Sequence, residues 1–521
     1  MSPITIYDTT LRDGSQSEGI SFTVNDKIKI AEKLDELGVH YIEGGWPGSN
    51  PKDKEFFQHF VNNKTKNAVI TAFGSTRRAK IKPSEDINLQ ELIKSKAQTI
   101  TIFGKTWDLH VRDVLKTTLD ENLNMIVDSI DFLKKKKREV FYDCEHFFDG
   151  YKNSPKYALK TLLAAQEAGA ECIILCDTNG GVLPNDVTKI INEIKNDIIV
   201  PLGIHTHNDM QLAVANSLAA INAGCVHVQG TFNGLGERCG NANLSTIIGI
   251  LHSKMKQKTI VTKNVKKLKE TCYFISEVSN AKLEDNMAFV GHSAFAHKGG
   301  VHIDAMLKNP LAYEHIEPTI FGNHRRFITS ELAGKMPIVK KAQEMNVVLD
   351  KKSPEAKKLL QDLQKKELSG YQFESADASF ELFMKRSLKK YMPFFELEGF
   401  RTASEKRFDG QVFAEATIRI DVNGKSQFSA SEGNGPVDAL DKALRGALTN
   451  FYPNLKEMRL TDYKVRVLDT KGGTSAKVRV LIESQDNTDT WTTVGVHENI
   501  IEASWEALID SVEYKLLKDK K

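Results

Sequence analysis

The chain has few cysteines, and none of them stands in a pattern that pairs them. The six cysteines show no CxxC spacing and lie mostly in apolar runs; they are Cys144, Cys172, Cys176, Cys225, Cys239 and Cys272. Cysteines in apolar runs behave as small core residues, and free thiols are typical of a reducing compartment. The pattern therefore excludes a disulfide framework and a CxxC metal module.

Long apolar stretches and an excess of one charge are also missing. No segment approaches the run of about 20 apolar residues that crosses a membrane. Lys and Arg number 71 against 68 Asp and Glu, a net charge of +3, which is too small to indicate nucleic acid or a membrane surface as a partner. We therefore expect a cytoplasmic protein that acts on small molecules.

The first half of the chain alternates short β-branched runs with longer helical patterns. Eight such runs occur, at residues 4–7, 40–45, 67–74, 98–104, 139–145, 171–178, 200–207 and 225–234. Their nearly continuous apolar character indicates parallel strands that are covered on both faces. Eight βα units in about 250 residues predict an α/β fold, the closed (β/α)8 TIM barrel.

The rest of the chain changes character twice. After a catalytic barrel at 1–265, residues 266–374 are lysine-rich and predict a helical linker with lid subdomains. Residues 375–521 contain two similar segments, 411–448 and 477–512, each with the pattern of three strands followed by a helix. One such unit alone buries too little apolar surface, so we predict an α+β domain made of two β-β-β-α units.

Polar side chains stand where the predicted strands end. Arg12 and Asp13 follow the first strand, Glu145 ends the fifth, and His205 and His207 end the seventh. Thr178 follows the sixth strand and Asn241 the eighth. A TIM barrel brings all of these strand ends to one mouth, so we expect the side chains to share a site.

The sequence HTHND, residues 205–209, suggests a metal site in that mouth. Two histidines at i and i+2 after a strand project to the same side and can be neighbouring ligands of one divalent ion, with Asp13 or Asn241 supplying oxygen. A hydrogen-bonded histidine pair is the alternative. An ion held in this way would activate the ketone of a 2-oxo acid, and Arg12 would stabilise the developing alkoxide or simply form a salt bridge.

Five motifs resemble, in the same order, those of the isopropylmalate, homocitrate and citramalate synthases, which are metal-dependent Claisen-condensing enzymes on a TIM barrel. The motifs are DTTLRDGSQ, CDTNGG, HTHND, NGLGERCGNANL and GVHIDAMLKN. The phrases EGGWPGSNPKD, YDCEHFFDGY and FGNHRRFITSELAGK are similar to the citramalate synthase branch. The resemblance implies that acetyl-CoA and pyruvate are joined to give (R)-citramalate and CoA, in isoleucine biosynthesis.

The resemblance also implies roles for single residues. The implied metal ligands are Asp13, His205, His207 and Asn241, and Arg12 polarises the keto group. The implied substrate contacts are Gln16, Glu145 and Thr178, and the implied catalytic residues of the lid are the base His302 with Asp304, and Tyr313. Glu237 fits a residue that supports the ligands. His292 and His297 remain alternatives for the base.

The resemblance further implies partners. The ion is left open between Zn, Mn, Co and Mg, and acetyl-CoA is a substrate whose nucleotide site is not readable, because no P-loop or GxGxxG pattern is present. The implied C-terminal domain forms a homodimer and binds the end product isoleucine. The turns SEGNGP and DTKGGTSA are candidate ligand loops, since backbone amides there can reach a carboxylate, or they are plain hairpin turns.

Three other functions stay open at this point. A related synthase that uses 2-oxoisovalerate or 2-oxoglutarate would share all of this chemistry, although Trp46 and Phe73 would narrow the pocket and favour pyruvate. The same site run in reverse would be an acyl-CoA lyase. A non-catalytic amino-acid sensor would have no need of Arg12, Asp13 and the two histidines.

Overall fold

The computed structural model describes residues 3–257, 259–328, 349, 353–373, 376–406, 408–468 and 476–520. The chain divides into two compact units. The first comprises Met1–Phe295 and Ile316–Arg325, and the second comprises Ala296–His315 and Arg326–Lys521. The first unit thus continues past residue 265, where the sequence places the end of the barrel. Residues 329–335 of FGNHRRFITSELAGK and residues 469–475 of DTKGGTSA lie outside the described residues.

The first unit is a closed barrel of eight parallel strands in the order of the chain, which confirms the predicted TIM barrel. The strands are β1 Thr5–Asp8, β2 Tyr41–Gly45, β3 Val69–Ser75, β4 Thr99–Lys105, β5 Glu139–Glu145, β6 Cys172–Asp177, β7 Leu202–Thr206 and β8 His227–Gly230. Each predicted run overlaps one strand. The longest predicted run, 225–234, keeps only four residues as a strand, because Phe232–Gly234 turn into a single 3-10 helix.

Helices connect the strands of the barrel. They are α1 Val24–Leu37, α2 Pro51–Asn62, α3 Ile87–Lys94, α4 Leu119–Lys135, α5 Phe147–Asn153, α6 Pro155–Glu167, α7 Pro184–Ile194, α8 Ala213–Ala223, α9 Leu244–Ser253, α10 Ile260–Lys263 and α11 Leu268–Ser279. A single 3-10 turn, Gly14–Gln16, follows β1, and a π-helical turn, His110–Val114, precedes α4. None of the described helices is long and apolar enough to cross a membrane.

Helix α1 shows how local sequence sets these boundaries. Its N-terminus is a capping box, in which the Thr23 hydroxyl accepts from the Asp26 amide at 3.2 Å and the Asp26 carboxylate accepts from the Thr23 amide at 2.9 Å. Gly38 ends the helix at φ 95°, a left-handed conformation that favours glycine. Between these caps, Ile30 and Leu34 are fully buried, so one face of the helix packs onto the barrel.

The lower half of the barrel interior is filled by aromatic rings. The rings of Tyr7, Tyr41, Phe141 and His227 have centroids between 5.0 and 6.3 Å apart. Interior side chains of a TIM barrel pack as a core and leave no pore. The aromatic layer therefore closes the barrel below the strand ends, and polar side chains are found above it.

The second unit contains two β-β-β-α repeats, as the sequence predicts. Its elements are β9 Ala296–His297, α12 Gly300–Lys308, β10 Arg326–Phe327, α13 Pro354–Leu368, α14 Asp377–Ser387, β11 Glu396–Lys406, β12 Val412–Val422, β13 Lys425–Gly433, α15 Pro436–Leu448, β14 Arg459–Val467, β15 Val478–Gln485, β16 Thr490–His497 and α16 Ile500–Asp519. Strands β11–β13 and β14–β16 form two antiparallel sheets. Ala439 and Ala443 of α15 and Ala503 and Ala507 of α16 are all fully buried, so the helix of each repeat packs through alanines.

Candidate active site at the mouth of the barrel

Arg12 is held on three sides at the C-terminal end of β1. Its Nε donates to Glu43 Oε1 at 2.5 Å, and its guanidinium forms an ion pair with Asp13. The guanidinium carbon lies 3.8 Å from the centroid of the Phe73 ring, which provides a cation–π contact. Tyr7 donates to the second oxygen of Glu43 at 2.6 Å, so the carboxylate that clamps Arg12 is itself fixed.

The charges of this cluster are set by their mutual contacts. Burial opposes charge on Arg12, but Asp13 and Glu43 raise the pKa of the guanidinium above its ordinary value. Burial likewise opposes charge on Asp13, and Arg12 with His205 lowers the pKa of Asp13 below its ordinary value. Arg12 is therefore a cation and Asp13 a carboxylate at neutral pH.

His205 and His207 meet beside Asp13, as the sequence predicts. His205 is the penultimate residue of β7, and its Nε2 lies 3.6 Å from Asp13 Oδ2. The centroids of the two imidazole rings are 5.2 Å apart. An isolated antiparallel bridge joins the backbones of His207 and Asn241, which brings the loop after β8 to the same place. Asp13, both histidines and Asn241 are each less than a tenth exposed.

Both imidazoles are neutral in this environment. Burial lowers the pKa of His205, and the carboxylate of Asp13 only partly opposes this effect. Burial and the neighbouring His205 lower the pKa of His207 to about 3. Neutral imidazole is the form of histidine that binds metal ions.

Three buried polar atoms of this group have no hydrogen-bond partner among the described residues: Asp13 Oδ2, His207 Nδ1 and Asn241 Oδ1. Buried polar atoms are normally paired, so their convergence suits a bound cation with nitrogen and oxygen ligands. Among the described residues, however, no three His, Cys, Asp or Glu side chains form a ready metal-binding group. Arg12 engages the other oxygen of Asp13. The metal assignment stays a prediction.

The glycines of NGLGERCGN shape the loop that carries Asn241. Gly240 has φ 88°, and a Cβ built on it would lie 2.0 Å from the carbonyl oxygen of Gly234. A Cβ on Gly236 would lie 2.2 Å from the side-chain amide nitrogen, Nδ2, of Asn241. The loop therefore wraps tightly around the Asn241 side chain, and glycine is needed where the backbone passes it.

The predicted substrate contacts occupy the neighbouring strand ends. Glu145, at the end of β5, forms an ion pair with Lys105 at the end of β4. The Thr178 hydroxyl accepts from the backbone amide of His146 at 2.9 Å, and among the described residues no acceptor is recorded for its own proton. Gln16 lies in the turn after Asp13 and is exposed.

Three aromatic rings form a wall beside Arg12. Phe73 stacks on Phe103 with centroids 5.5 Å apart, and Trp46 meets both rings edge-on at 5.9 and 5.7 Å. The backbone amide of Trp46 donates to Asp53 Oδ2 at 2.8 Å, and Asp53 is paired with the buried Lys27. The position of the wall is thus tied to a buried ion pair on the outside of the barrel.

The predicted lid residues His302, Asp304 and Tyr313 belong to the second unit. The rings of His302 and Tyr313 stack with centroids 4.3 Å apart, and Lys308 donates to Asp304 at 2.8 Å. His297, an alternative base, lies 3.0 Å from Glu314. The roles of these residues in catalysis stay predictions.

The structure adds polar residues that sequence reasoning did not assign. Glu43 accepts a hydrogen bond from Arg12, and Gln229 contacts His205 at 2.8 Å. Gln229 thus supports a predicted ligand, the role that the sequence predicts for Glu237. Glu237 is instead exposed and stands 4.0 Å from Arg238. Asp143 in turn contacts Gln229 at 3.0 Å. A polar residue inside an otherwise apolar strand, as in YIEGG, FYDCE and HVQG, was the signal available.

Comparison with known proteins covers almost the whole chain. The HMGL-like family profile matches residues 3–272, more than half of the chain. The profile described as homocitrate synthase post-HMGL domain-like matches residues 289–367, and that of the LeuA allosteric (dimerisation) domain matches residues 374–516.

Whole-length relatives agree with these profiles. The chain is 55% identical to an (R)-citramalate synthase of Geobacter sulfurreducens, a match covering 100% of this chain and 99% of that protein. It is 54% identical to an (R)-citramalate synthase of Aquifex aeolicus, over 99% and 98% of the two chains. It is 33% identical to a 2-isopropylmalate synthase of Methanocaldococcus jannaschii, over 99% and 95%.

The tight glycine loop makes a local prediction. Gly240→Ala places a side chain against the Gly234 carbonyl in a left-handed conformation, so we expect a local cost of about 1–3 kcal/mol and faster hydrogen exchange across residues 231–243. Gly181→Ala is the matched control, because a Cβ there meets no atom within 4 Å. Equal exchange in the two variants would contradict this account of the loop.

Proposed function

We propose the reaction of this chain from its membership of the HMGL-like family, in the citramalate synthase branch. The chain is an acyltransferase that converts the acyl group into an alkyl group on transfer. It condenses acetyl-CoA with pyruvate and hydrolyses the thioester, giving (R)-citramalate and CoA. The reaction is a step of isoleucine biosynthesis in the cytoplasm. The single observation that supports it most is the meeting of Arg12 with Asp13, His205 and Asn241 at one mouth.

Arg12 is suited to binding and polarising the keto group. Glu43, Asp13 and Phe73 fix the guanidinium in a buried position, so its remaining N–H groups are oriented before substrate arrives. Fixed donors aimed at a developing negative charge lower a barrier without reorganisation at the moment of reaction. Arginine stays charged in such a site, whereas a buried lysine can lose its proton.

A divalent ion fits the acceptor atoms beside Arg12. The residues that would hold it are Asp13, His205, His207 and Asn241, because their buried oxygen and nitrogen atoms converge and three of those atoms lack a hydrogen-bond partner among the described residues. When bound, Zn, Mn, Co or Mg would supply Lewis acidity towards the carbonyl and carboxylate of a 2-oxo acid. Two neutral imidazoles and one carboxylate leave the ion a net positive charge.

The aromatic wall supports pyruvate as the 2-oxo acid. Phe73, Phe103 and Trp46 pack edge-on and face-to-face beside Arg12, and Trp46 is further anchored by its indole N–H, which donates to Asn88 at 2.6 Å. A rigid wall of this kind suits a methyl group better than a branched or carboxylated side chain. We propose that Thr178 donates its hydroxyl proton to the substrate carboxylate, and the support for this is that its hydroxyl oxygen accepts from the His146 amide.

A thiol-release assay tests this proposal. With acetyl-CoA, we expect pyruvate to be turned over at least about tenfold faster than 2-oxoisovalerate or 2-oxoglutarate, a difference that one or two extra methylene groups can cause in a close-fitting pocket. Treatment with a chelator should remove the activity, and Mn, Co or Zn should restore it. Preference for another 2-oxo acid would overturn the substrate assignment, and full activity in chelator would overturn the metal assignment.

For the base, we propose His302 of the second unit. Its ring stacks on Tyr313, which limits its orientation, and a histidine can take a proton from the acetyl methyl group near neutral pH. The resulting enolate carbon attacks the keto carbon of pyruvate. The electrons of the keto π bond move to its oxygen, which Arg12 stabilises as an alkoxide until it takes up a proton from the protonated base or from water. Water then cleaves the thioester, and CoA leaves as the thiol.

Two single substitutions distinguish His302 from His297 as the catalytic base. His302→Ala should lower kcat by about 10²- to 10⁴-fold with little change in the KM of either substrate, since general-base catalysis contributes a factor of this size. His297→Ala, which removes the partner of Glu314, is the matched control and should retain most of the activity. The opposite ranking of the two variants would assign the base to His297.

We further propose that residues 375–521 form the regulatory domain, that it pairs two copies of the chain, and that it binds isoleucine. The match of residues 374–516 to the LeuA allosteric (dimerisation) domain supports this placement. The segment SEGNGP runs from the last residues of β13 to the first residue of α15, and its Glu432 and Asn434 are exposed while the other four residues are half-buried. The backbone amide of Asn434 donates to Asp438 at 2.8 Å. Backbone amides of such a turn can bind a carboxylate.

Isoleucine binding can be measured on the intact chain. At 100 times its dissociation constant, isoleucine should stabilise the protein by about 2.7 kcal/mol, raise its thermal midpoint and inhibit CoA release. Hydrogen exchange should slow within residues 376–520. Valine serves as the comparison because it lacks one methylene group. Protection confined to the barrel would mean that the amino acid binds in the active site.

A further inference from the structure

Two buried polar side chains of the barrel have no role in the proposed chemistry so far. Gln229 lies in β8 and Asp143 in β5, and their exposed fractions are 0% and 4%. Both lie above the aromatic layer, next to the residues of the mouth. Buried amides and carboxyl groups are expensive unless they are paired, so their partners show what they do.

The two side chains form a directed chain of hydrogen bonds. Gln229 Nε2 donates to Asp143 Oδ1 at 3.0 Å, and Gln229 Oε1 lies 2.8 Å from His205 Nδ1. An amide oxygen can only accept, so His205 Nδ1 must carry the proton. The other ring nitrogen, Nε2, then has a free lone pair, and this is the atom that lies 3.6 Å from Asp13 Oδ2.

The atoms that face each other at the mouth are therefore both acceptors. A lone pair on His205 Nε2 and a carboxylate oxygen on Asp13 repel one another unless a cation or a hydrogen-bond donor lies between them. Glutamine is suited to this arrangement because its amide presents one donor and one acceptor, which satisfies the carboxyl group of Asp143 and the N–H of His205 together. A carboxyl group can accept through one oxygen in either protonation state.

We propose that Gln229, supported by Asp143, is a positioning residue of the cation site. It holds His205 in the tautomer with Nδ1 protonated and points Nε2 at Asp13. This inference rests on the proposed metal-dependent function but concerns residues outside the ligand set. Partners of this kind fix the ring orientation of a ligand histidine and raise its basicity.

The experiment compares two variants of the full chain in Mn(II) binding, followed by the electron paramagnetic resonance signal of free Mn(II). Gln229→Met keeps the size of the side chain and removes both hydrogen bonds, so we expect Mn(II) binding weakened by about 10- to 100-fold in a chain that still folds. Its thermal midpoint should fall, because Asp143 and His205 Nδ1 lose a partner. Gln229→Glu keeps an oxygen for His205 Nδ1 and should bind within about fivefold of the wild type. Equal binding by wild type and Gln229→Met would overturn the proposal.

A second measurement needs no metal and no variant that must fold. In metal-free wild-type protein labelled with 15N-histidine, the His205 signals should show a protonated Nδ1 and an unprotonated Nε2, and a proton on Nε2 would overturn the proposal. A wild type with this tautomer that binds no Mn(II), Zn(II) or Co(II) would contradict the metal-dependent function while leaving the role of Gln229 in orienting His205 intact. The two failures are thereby distinguished.

Discussion

The buried charge of Arg12 is the constraint around which the mouth of the barrel is organised. A guanidinium withdrawn from water needs anionic partners, and here Glu43 and Asp13 supply two. Breaking either contact would leave the charge with only one anionic partner. The pairing fixes where Arg12 points, holds one oxygen of Asp13, and leaves the other oxygen facing His205. The neutral imidazoles add nitrogen lone pairs without adding positive charge.

The barrel separates packing from chemistry along its axis. Aromatic rings of Tyr7, Tyr41 and Phe141 fill the interior nearer the N-terminal ends of the strands. Tyr7 also belongs to the polar system above, because its hydroxyl donates to Glu43 and lies 2.7 Å from Thr101. The rigid apolar layer thus supports the polar one directly. Polar side chains above it reach across the interior, so distant strands contribute to a single network.

The second unit consists of small sheets, each of which alone would bury little apolar surface. Each three-stranded sheet is covered by one helix, α15 or α16, whose alanines allow close approach to the strands. Repeating the unit enlarges the shared core, to which Trp491 and Trp505 both contribute. The segment with His302 and Tyr313 also belongs to this unit. Residues proposed for proton abstraction and for regulation therefore occur in one part of the chain.

Much of this protein can be inferred from periodicity and motif order. The eight strands, the repeat of residues 375–521 and the convergence of Arg12, Asp13, His205 and Asn241 follow from local patterns, because a closed barrel leaves only one place where its strand ends can meet. The positions of Glu145 and Thr178 at strand ends could also be predicted from the sequence, and their role as substrate contacts stays a prediction.

The residues that support the site could not be predicted from the sequence in the same way. Glu43 stands at a predicted strand end, but its pairing with Arg12 does not follow from the sequence. Asp143 and Gln229 are single polar residues in apolar strands, and sequence alone does not tell whether such a residue faces the barrel interior or which distant side chain it meets. Sequence by itself determined the architecture and the chemical types gathered at the mouth. Only the tertiary structure decided which atoms pair, because hydrogen bonds between β5, β7 and β8 depend on strand register and closure of the barrel, which no local pattern encodes.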